Sequence, residues 1–307
     1  MTKIFIDGSA GTTGLRIHER LATRTDLELL TLPEELRKDP AARHDMLKCA
    51  DIAFLCLPDA AAVEAVELAK DCNVRIIDTS TAHRTNPAWA YGFAELGDRR
   101  AKIATAERVA NPGCHASGFL ALVAPLVQAG LIAPDTALSC FSLTGYSGGG
   151  KKMIAEYEGA ERPALFDAPR QYGITQAHKH LPEMCAVAGL TVAPAFCPIV
   201  GDFYSGMEVT VPVFGKDLRG SIADVRALYA ATYHSAILHF NEAADESGFL
   251  SAAALAGRDD MEITVCGNSE RMLLVARFDN LGKGASGAAI QNMNIMLGVE
   301  ETTGLCV

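Results

Sequence analysis

The stretch "KIFIDGSAGTTGLRIHERLA", Lys3 to Ala22, decides how the chain begins to fold. Ile4 and Phe5 open a strand. Gly8, Gly11 and Gly14 follow at once as G-x-x-G-x-x-G. Leu15, Ile17, Leu21 and Ala22 then recur at helical spacing and give the next segment one apolar face. Glycine lets a backbone turn tightly and approach a pyrophosphate, and the helix N-terminus that follows supplies free N–H groups and a favourable dipole. A glycine triplet alone is weak evidence; here the strand–turn–helix context is present. Gly8, Ser9, Gly11, Thr12, Thr13 and Gly14 are therefore the candidate cofactor loop, against the plainer reading of a tight structural turn.

Working outward, "LELLTL" and "ADIAFLCL" read as strands, "DAAAVEAVELAKDC" as a helix and "VRIIDTS" as a fourth strand. Strands alternating with helices indicate βαβ units and a parallel sheet. The unbroken apolar run "IAFLCL" suits a strand covered on both faces. After about Cys114 the texture changes. "ALSCFSLTGYSG", "TVAPAFCPIV", "GMEVTVPVFG", "AILHFN", "MEITVCG" and "RMLLVARF" are strand-like with few helices between them, and "CGNSER" reads as a hairpin turn. In "GASGAAIQNMNIMLGV" Ala289, Ile290, Met293 and Met296 repeat at helical spacing. The expected fold is α/β: a Rossmann-type dinucleotide-binding domain plus an α+β catalytic domain with a largely antiparallel sheet.

The 307 residues are 49% hydrophobic and 21% charged, which suits two domains with sizeable cores and argues against global disorder. A formal net charge of -10 argues against a nucleic-acid coat or a basic membrane-surface protein. No apolar run approaches the roughly 18 to 20 residues that span a bilayer. The strand pattern starts at the first residues with no signal peptide, so a cytoplasmic protein is expected. Nine cysteines include no C-x-x-C pair, so no zinc site of the usual spacing is signalled. Cys49, Cys56, Cys72, Cys140, Cys197 and Cys266 lie in or beside apolar runs and are expected to be buried thiols.

Cys114 differs. In "RVANPGCHASGFLALVAPL", Asn111-Pro112-Gly113 makes a sharp turn and the cysteine opens a helical run. A helix start stabilises a thiolate. Ser117 and Gly118 keep the first turn small, which is expected to leave room for a substrate. The partner base is sought in "QYGITQAHKHLPEM", which gathers Tyr172, His178, His180 and Glu183. A carboxylate beside a histidine can fix its tautomer. An H-x-H pair can also bind metal, but no further ligand cluster stands out. His115 adjoins Cys114 in sequence, yet helical neighbours point about 100° apart, which makes it the poorer partner.

These residues carry a recognisable pattern. The chain resembles the N-acetyl-γ-glutamyl-phosphate reductases, the shorter form in particular, of the semialdehyde dehydrogenase superfamily. "GSAGTTG" resembles their nucleotide loop, "DTSTAHR" their D-x-S-x-x-x-R segment and "AYGFAEL" their Y-G-x-x-E-L segment. "NPGCHASG" is similar to the catalytic cysteine motif, "GYSGGGKK" to the S-G-x-G-[RK] loop and "HKHLPE" to H-x-H-x-x-E. "DNLGKGASGAAIQNMNIMLG" is similar to the C-terminal signature. His83, Asp59 and His115 depart from the long form.

The resemblance implies reduction of N-acetyl-γ-glutamyl phosphate to the semialdehyde by NADPH, through a thioester on Cys114. His180 would be the acid/base with Glu183 orienting it, and His178 the second choice. Arg84, Tyr172, His178 and Ser147 are candidate substrate contacts, with Lys151 and Lys152 weaker anion binders. Asn280 and Lys283 would return to the cofactor. Residues 1–113 with about 284–307 would form the cofactor domain, and 114–283 the catalytic and dimerisation domain of a homo-oligomer, a dimer or tetramer.

Alternatives stay open at this point. Aspartate-semialdehyde dehydrogenase uses the same chemistry, but expects an arginine-rich motif that "HKHLPEM" does not show. An aminoadipate-pathway relative is a third enzyme reading. Outside enzymes, a dinucleotide-binding redox sensor would not need the cysteine, the histidine cluster and the C-terminal signature together. For the cofactor, Arg37 and Lys38 after the second strand favour a 2′-phosphate and NADP(H), while Glu34 and Glu35 favour a free ribose.

Overall fold

The computed structural model describes residues 1–307. It divides into two compact units. The first comprises Met1–Ala94, Asp98–Pro112 and Ala285–Leu305; the second comprises Glu95–Gly97, Gly113–Gly284 and Cys306–Val307.

The first unit runs β1 (Thr2–Asp7), α1 (Thr12–Leu21), β2 (Leu27–Leu30), α2 (Pro40–Cys49), β3 (Ile52–Leu55), α3 (Asp59–Leu68), β4 (Arg75–Asp78), β5 (Ala90–Tyr91), α4 (Arg99–Thr105) and β6 (Arg108–Ala110). Its sheet is parallel throughout, in the order β2-β1-β3-β4-β6-β5. Successive strand residues enter opposite cores, as the two-residue period requires. Ile4, Ile6 and Phe54 meet Ile17 and Leu21 of α1 and Ile290 and Met293 of the last helix. Phe5, Ala53 and Leu55 meet Leu47, Ala65 and Ala69 on the other face. Double coverage is why these strands read as unbroken apolar runs. The chain reverses its winding between β1 and β3, and the glycine loop lies at that switch point, where open α/β sheets bind ligands.

The second unit holds α5 (Cys114–Gln128), β7 (Ser139–Gly145), α6 (Gly150–Glu158), β8 (Arg170–Gln171), α7 (Leu181–Ala188), β9 (Ala195–Gly201), β10 (Met207–Phe214), α8 (Ile222–Thr232), β11 (Leu238–Phe240), β12 (Met261–Gly267) and β13 (Arg271–Phe278). The sheet order is β11-β12-β13-β10-β7-β9-β8. It is largely antiparallel, with β11/β12 and β7/β9 as its parallel pairs. Asn268 closes the β12–β13 hairpin, its Oδ1 accepting the N–H groups of Glu270 and Arg271. On β10, Met207, Val209, Val211 and Val213 are buried while alternate residues face out. α5 lies on the buried face, and α8 is tied to it by Tyr229 and Tyr233, whose hydroxyls donate to the Leu122 and Ala121 carbonyls. The outer face carries the exposed Phe141, Phe214 and Leu273.

A π-helical segment, Gly282–Ser286, leads into α9 (Gly287–Leu297), which completes the first unit. Its Q-N-x-N run is structural. Asn292 donates to the Gly92 carbonyl at 2.9 Å, Asn294 to the Glu301 and Thr303 carbonyls, and Gln291 to Glu301.

The thiols differ from expectation. All nine are free, but among those expected to be buried only Cys140 is; Cys49 is exposed and the other four are partly covered. Cys56 is nonetheless unreactive by environment, because burial pushes its thiol up to about 12.

Candidate active site

α5 begins at Cys114 itself, with Gly113 as an extended N-cap and no side chain capping the helix. The Gly113 peptide is held from two sides. Its N–H donates to Glu183 Oε1 at 2.9 Å, and its carbonyl accepts the Ser117 N–H and hydroxyl. Cys114 is partly exposed at the helix start, where uncompensated N–H groups favour a thiolate and can hold an oxyanion. Gly284 passes directly behind it: a Cβ there would stand 2.9 Å from Cys114 Cβ. Gly118 does not make room for a substrate, as the sequence suggests. Its missing side chain lets α5 press on the sheet, since a Cβ would meet Val209 at 2.5 Å and Phe278 at 2.9 Å.

The histidine segment ends in α7. His180 is its buried N-cap, Pro182 lies in its first turn, and Glu183 is buried just beyond. His178 Nδ1 accepts the His180 backbone N–H at 3.3 Å, which puts any proton of a neutral His178 ring on Nε2. Burial, then the neighbouring Lys179 charge, holds the His178 pKa below its ordinary value. The rings of His178 and His180 stand 4.9 Å apart, and His115 lies 5.5 Å from His180 and 5.8 Å from His178. His115 is buried, with Nδ1 2.6 Å from Ser142 Oγ and Nε2 2.6 Å from the Tyr172 hydroxyl. Burial first, and then His178 and Lys179, hold its pKa down to about 3. Tyr172 is pushed upward by burial and then by the Cys114 charge, so its hydroxyl stays protonated. The fold thus brings together Cys114, Tyr172, His178, His180 and Glu183. His115, weighed in the sequence as the poorer partner because of its adjacency to Cys114, joins the cluster, as do Ser142 and Phe196, which the sequence did not single out.

Other expected contacts lie elsewhere. Ser147 and Asn280 bond to each other at 3.0 Å, and Asn280 Oδ1 accepts the Gly206 N–H, so both hold the second unit's loops together. Lys283 does not offer its charge to a cofactor: Nζ is 2.9 Å from both Glu95 oxygens, with the side chains 1% and 4% exposed. A buried ammonium needs such a partner. Glu95 stands in the quoted "AYGFAEL" segment. Arg84 is buried, with Nε donating to the Asn111 carbonyl and an Nη to the Thr79 carbonyl, which fits a positioning role rather than anion capture. Lys151 and Lys152 are exposed on α6.

In the first unit, Gly8 has φ +87° and a Cβ there would fall 2.3 Å from the Cys56 carbonyl oxygen; one at Gly14 would fall 2.5 Å from that of Gly8. These two glycines close the turn onto the sheet. At Gly11 a Cβ would meet only ordinary contacts, so packing does not demand glycine there. Gly11 is the N-cap of α1 and no side chain caps that helix. A bare backbone at an uncapped helix start fits a dinucleotide pyrophosphate. Beside it an open cleft is lined by Gly8, Ser9, His18, Thr31, Leu32 and Arg37, at the ends of β1 and β2. Arg37 thus joins the loop residues, and His18 and Thr31 are additions.

One unit with a doubly covered parallel sheet and a bare glycine turn, and a second mixed-sheet unit bearing a helix-start cysteine and buried histidines, define an NAD(P)-dependent oxidoreductase. Residues 31–106 match the semialdehyde dehydrogenase NAD binding domain, and residues 114–280 the semialdehyde dehydrogenase dimerisation domain. The chain belongs to the semialdehyde dehydrogenase family. It is 49% identical over 306 residues to N-acetyl-gamma-glutamyl-phosphate reductase of Brucella ovis, covering 96% of this chain and 99% of that protein; the Brucella canis reductase matches to the same extent. Among solved structures, aspartate semialdehyde dehydrogenase II of Vibrio cholerae, complexed with ASA, superposes with a TM-score of 0.74 at 18% identity, covering 97% and 98% of the two chains. That likeness shows the fold.

Proposed function

We propose that this chain reduces N-acetyl-γ-glutamyl phosphate to N-acetyl-glutamate semialdehyde and phosphate with NADPH, the step named for its 49% identical relatives in arginine biosynthesis. The observation that carries the reading is Cys114 at the bare start of α5, with its turn anchored on Glu183 and the buried His180 in the same cluster. Cys114 Sγ attacks the acyl carbon, the C–O bond to phosphate breaks and a thioester remains. His180 takes the thiol proton and passes it to the oxygen of the departing phosphate. N–H groups at the start of α5 hold the carbonyl oxygen while it carries charge. When bound, the nicotinamide supplies the hydride. Collapse of the resulting tetrahedral adduct releases the aldehyde and regenerates the thiolate. Glu183 positions the Gly113 peptide, and Tyr172 and His178 contact the substrate.

The first unit holds the cofactor through Gly8, Ser9, Gly11, Thr12, Thr13 and Gly14, and Arg37 in the adjoining cleft meets the 2′-phosphate. The dimerisation-domain match supports a homo-oligomer, with a second copy over the outer sheet face that bears Phe141, Phe214 and Leu273. No helix is long and apolar enough to cross a membrane. Nine free thiols fit a reducing cytoplasm. The test is NADPH oxidation coupled to freshly made N-acetyl-γ-glutamyl phosphate, with β-aspartyl phosphate as the competitor. Preference for the aspartyl compound would overturn the substrate assignment.

A further inference from the structure

We propose that His115 is a positioning residue that acts through Tyr172, holding its hydroxyl where the acyl substrate binds beside Cys114. The inference rests on the thioester reading above and adds a residue that reading does not use. His115 follows the nucleophile on α5, so its ring leaves the helix about 100° away. It does not lie idle in the core. One ring nitrogen meets Ser142 Oγ on β7, and the other meets the Tyr172 hydroxyl just after β8, each at 2.6 Å. The ring is buried and packs edge-on to Phe196 at 5.3 Å and to His178 at 5.8 Å.

A neutral imidazole carries one N–H and one bare nitrogen. It therefore accepts from one hydroxyl and donates to the other, whichever tautomer it takes. Ser142, set in the sheet, fixes the ring, and the ring fixes Tyr172. Burial keeps His115 neutral, so the bond to Tyr172 does not change with pH across the working range. Tyr172 is half-buried and senses the Cys114 charge. The nucleophile's own helix thus carries the clamp that sets a substrate contact.

The test compares His115→Phe, Tyr172→Phe and the double variant, with Cys114 titrated by iodoacetamide and peptide mass so that rates refer to intact sites. Each single variant should raise KM for the acyl substrate about tenfold, while kcat per titrated site and KM for NADPH change by less than about threefold. The double variant should be no worse than the worse single, because both break one chain of bonds. A merely structural histidine would lower the fraction of titratable Cys114 and leave KM alone. An unchanged KM in His115→Phe, or fold-changes that multiply in the double variant, overturns the proposal. If His115→Phe does not fold, Ser142→Ala paired with Tyr172→Phe tests the same non-additivity. Turnover retained by Cys114→Ser would sink the thioester reading instead, and so distinguishes the two failures.

Discussion

Glu183 Oε1 accepts the backbone N–H of Gly113 at 2.9 Å, and both residues are buried. The carboxylate therefore pins the turn that presents Cys114. Glu183→Ala leaves that N–H without its partner and should cost ~1 to 3 kcal/mol of stability. It should also lower kcat, because the nucleophile loses its fixed entry angle. Glu183→Gln retains an accepting oxygen and should keep most of both. Thermal melts and kcat for the two variants decide it; an alanine variant as stable and active as the parent would remove the anchor role.

Cys114→Ser should abolish reductase turnover and leave NADPH binding intact. A hydroxyl's pKa is too high for a helix start to make it a nucleophile. Fluorescence titration with NADPH separates loss of chemistry from loss of fold. Near-normal turnover in the serine variant would show that the nucleophile lies elsewhere.

His180→Asn should lower kcat by ~10² to 10⁴. His178→Asn should mainly raise KM. The fold separates the two: His180 is the buried N-cap of α7, while His178 spends its Nδ1 on a backbone N–H. If His178→Asn struck kcat and His180→Asn only KM, the roles would be reversed.

NADPH should be preferred over NADH by kcat/KM. Arg37 lines the cleft beside the glycine loop, and Arg37→Ala should narrow the preference by about tenfold or more, as expected for losing a charge-assisted bond. Equal use of the two cofactors by the parent enzyme would contradict this.

His115 gives the fold an acid sensitivity of known sign. Its folded pKa of about 3 lies below the unfolded 6.5, so between these values the unfolded chain binds a proton that the native chain refuses. Stability from this group is complete above 6.5 and falls with pH through that window, at up to about 1.4 kcal/mol per pH unit. Melting midpoints of the parent should drop between pH 6.5 and 4 more steeply than those of His115→Gln. Parallel slopes would mean that the ring is not held neutral.

The parallel unit was legible because its signals are local. Ile4, Phe5 and Ile6 show a strand, the glycines mark the turn, and Ile17 and Leu21 show a helix face, all within about one supersecondary unit. The same holds for Cys114 opening α5 and for Glu183 in the first turn of α7. Some local signals were passed over: Asp39 caps α2, and Ser221 with Asp224 forms a capping box on α8, yet neither helix has a strong apolar stripe to draw the eye. Partner choice was another matter. Lys283 is held by Glu95, 188 residues away, and Asn280 by Ser147, 133 residues away, whereas their place in a C-terminal signature pointed to the cofactor. Gly118 suggested space and supplies close packing. Periodicity and caps are fixed by neighbours in the chain, so they can be read along it. A buried charge or amide must take whichever partner the closing fold brings within 3 Å, because leaving it unpaired in a low-dielectric interior costs more than the bond returns; only the tertiary structure decides which partner that is.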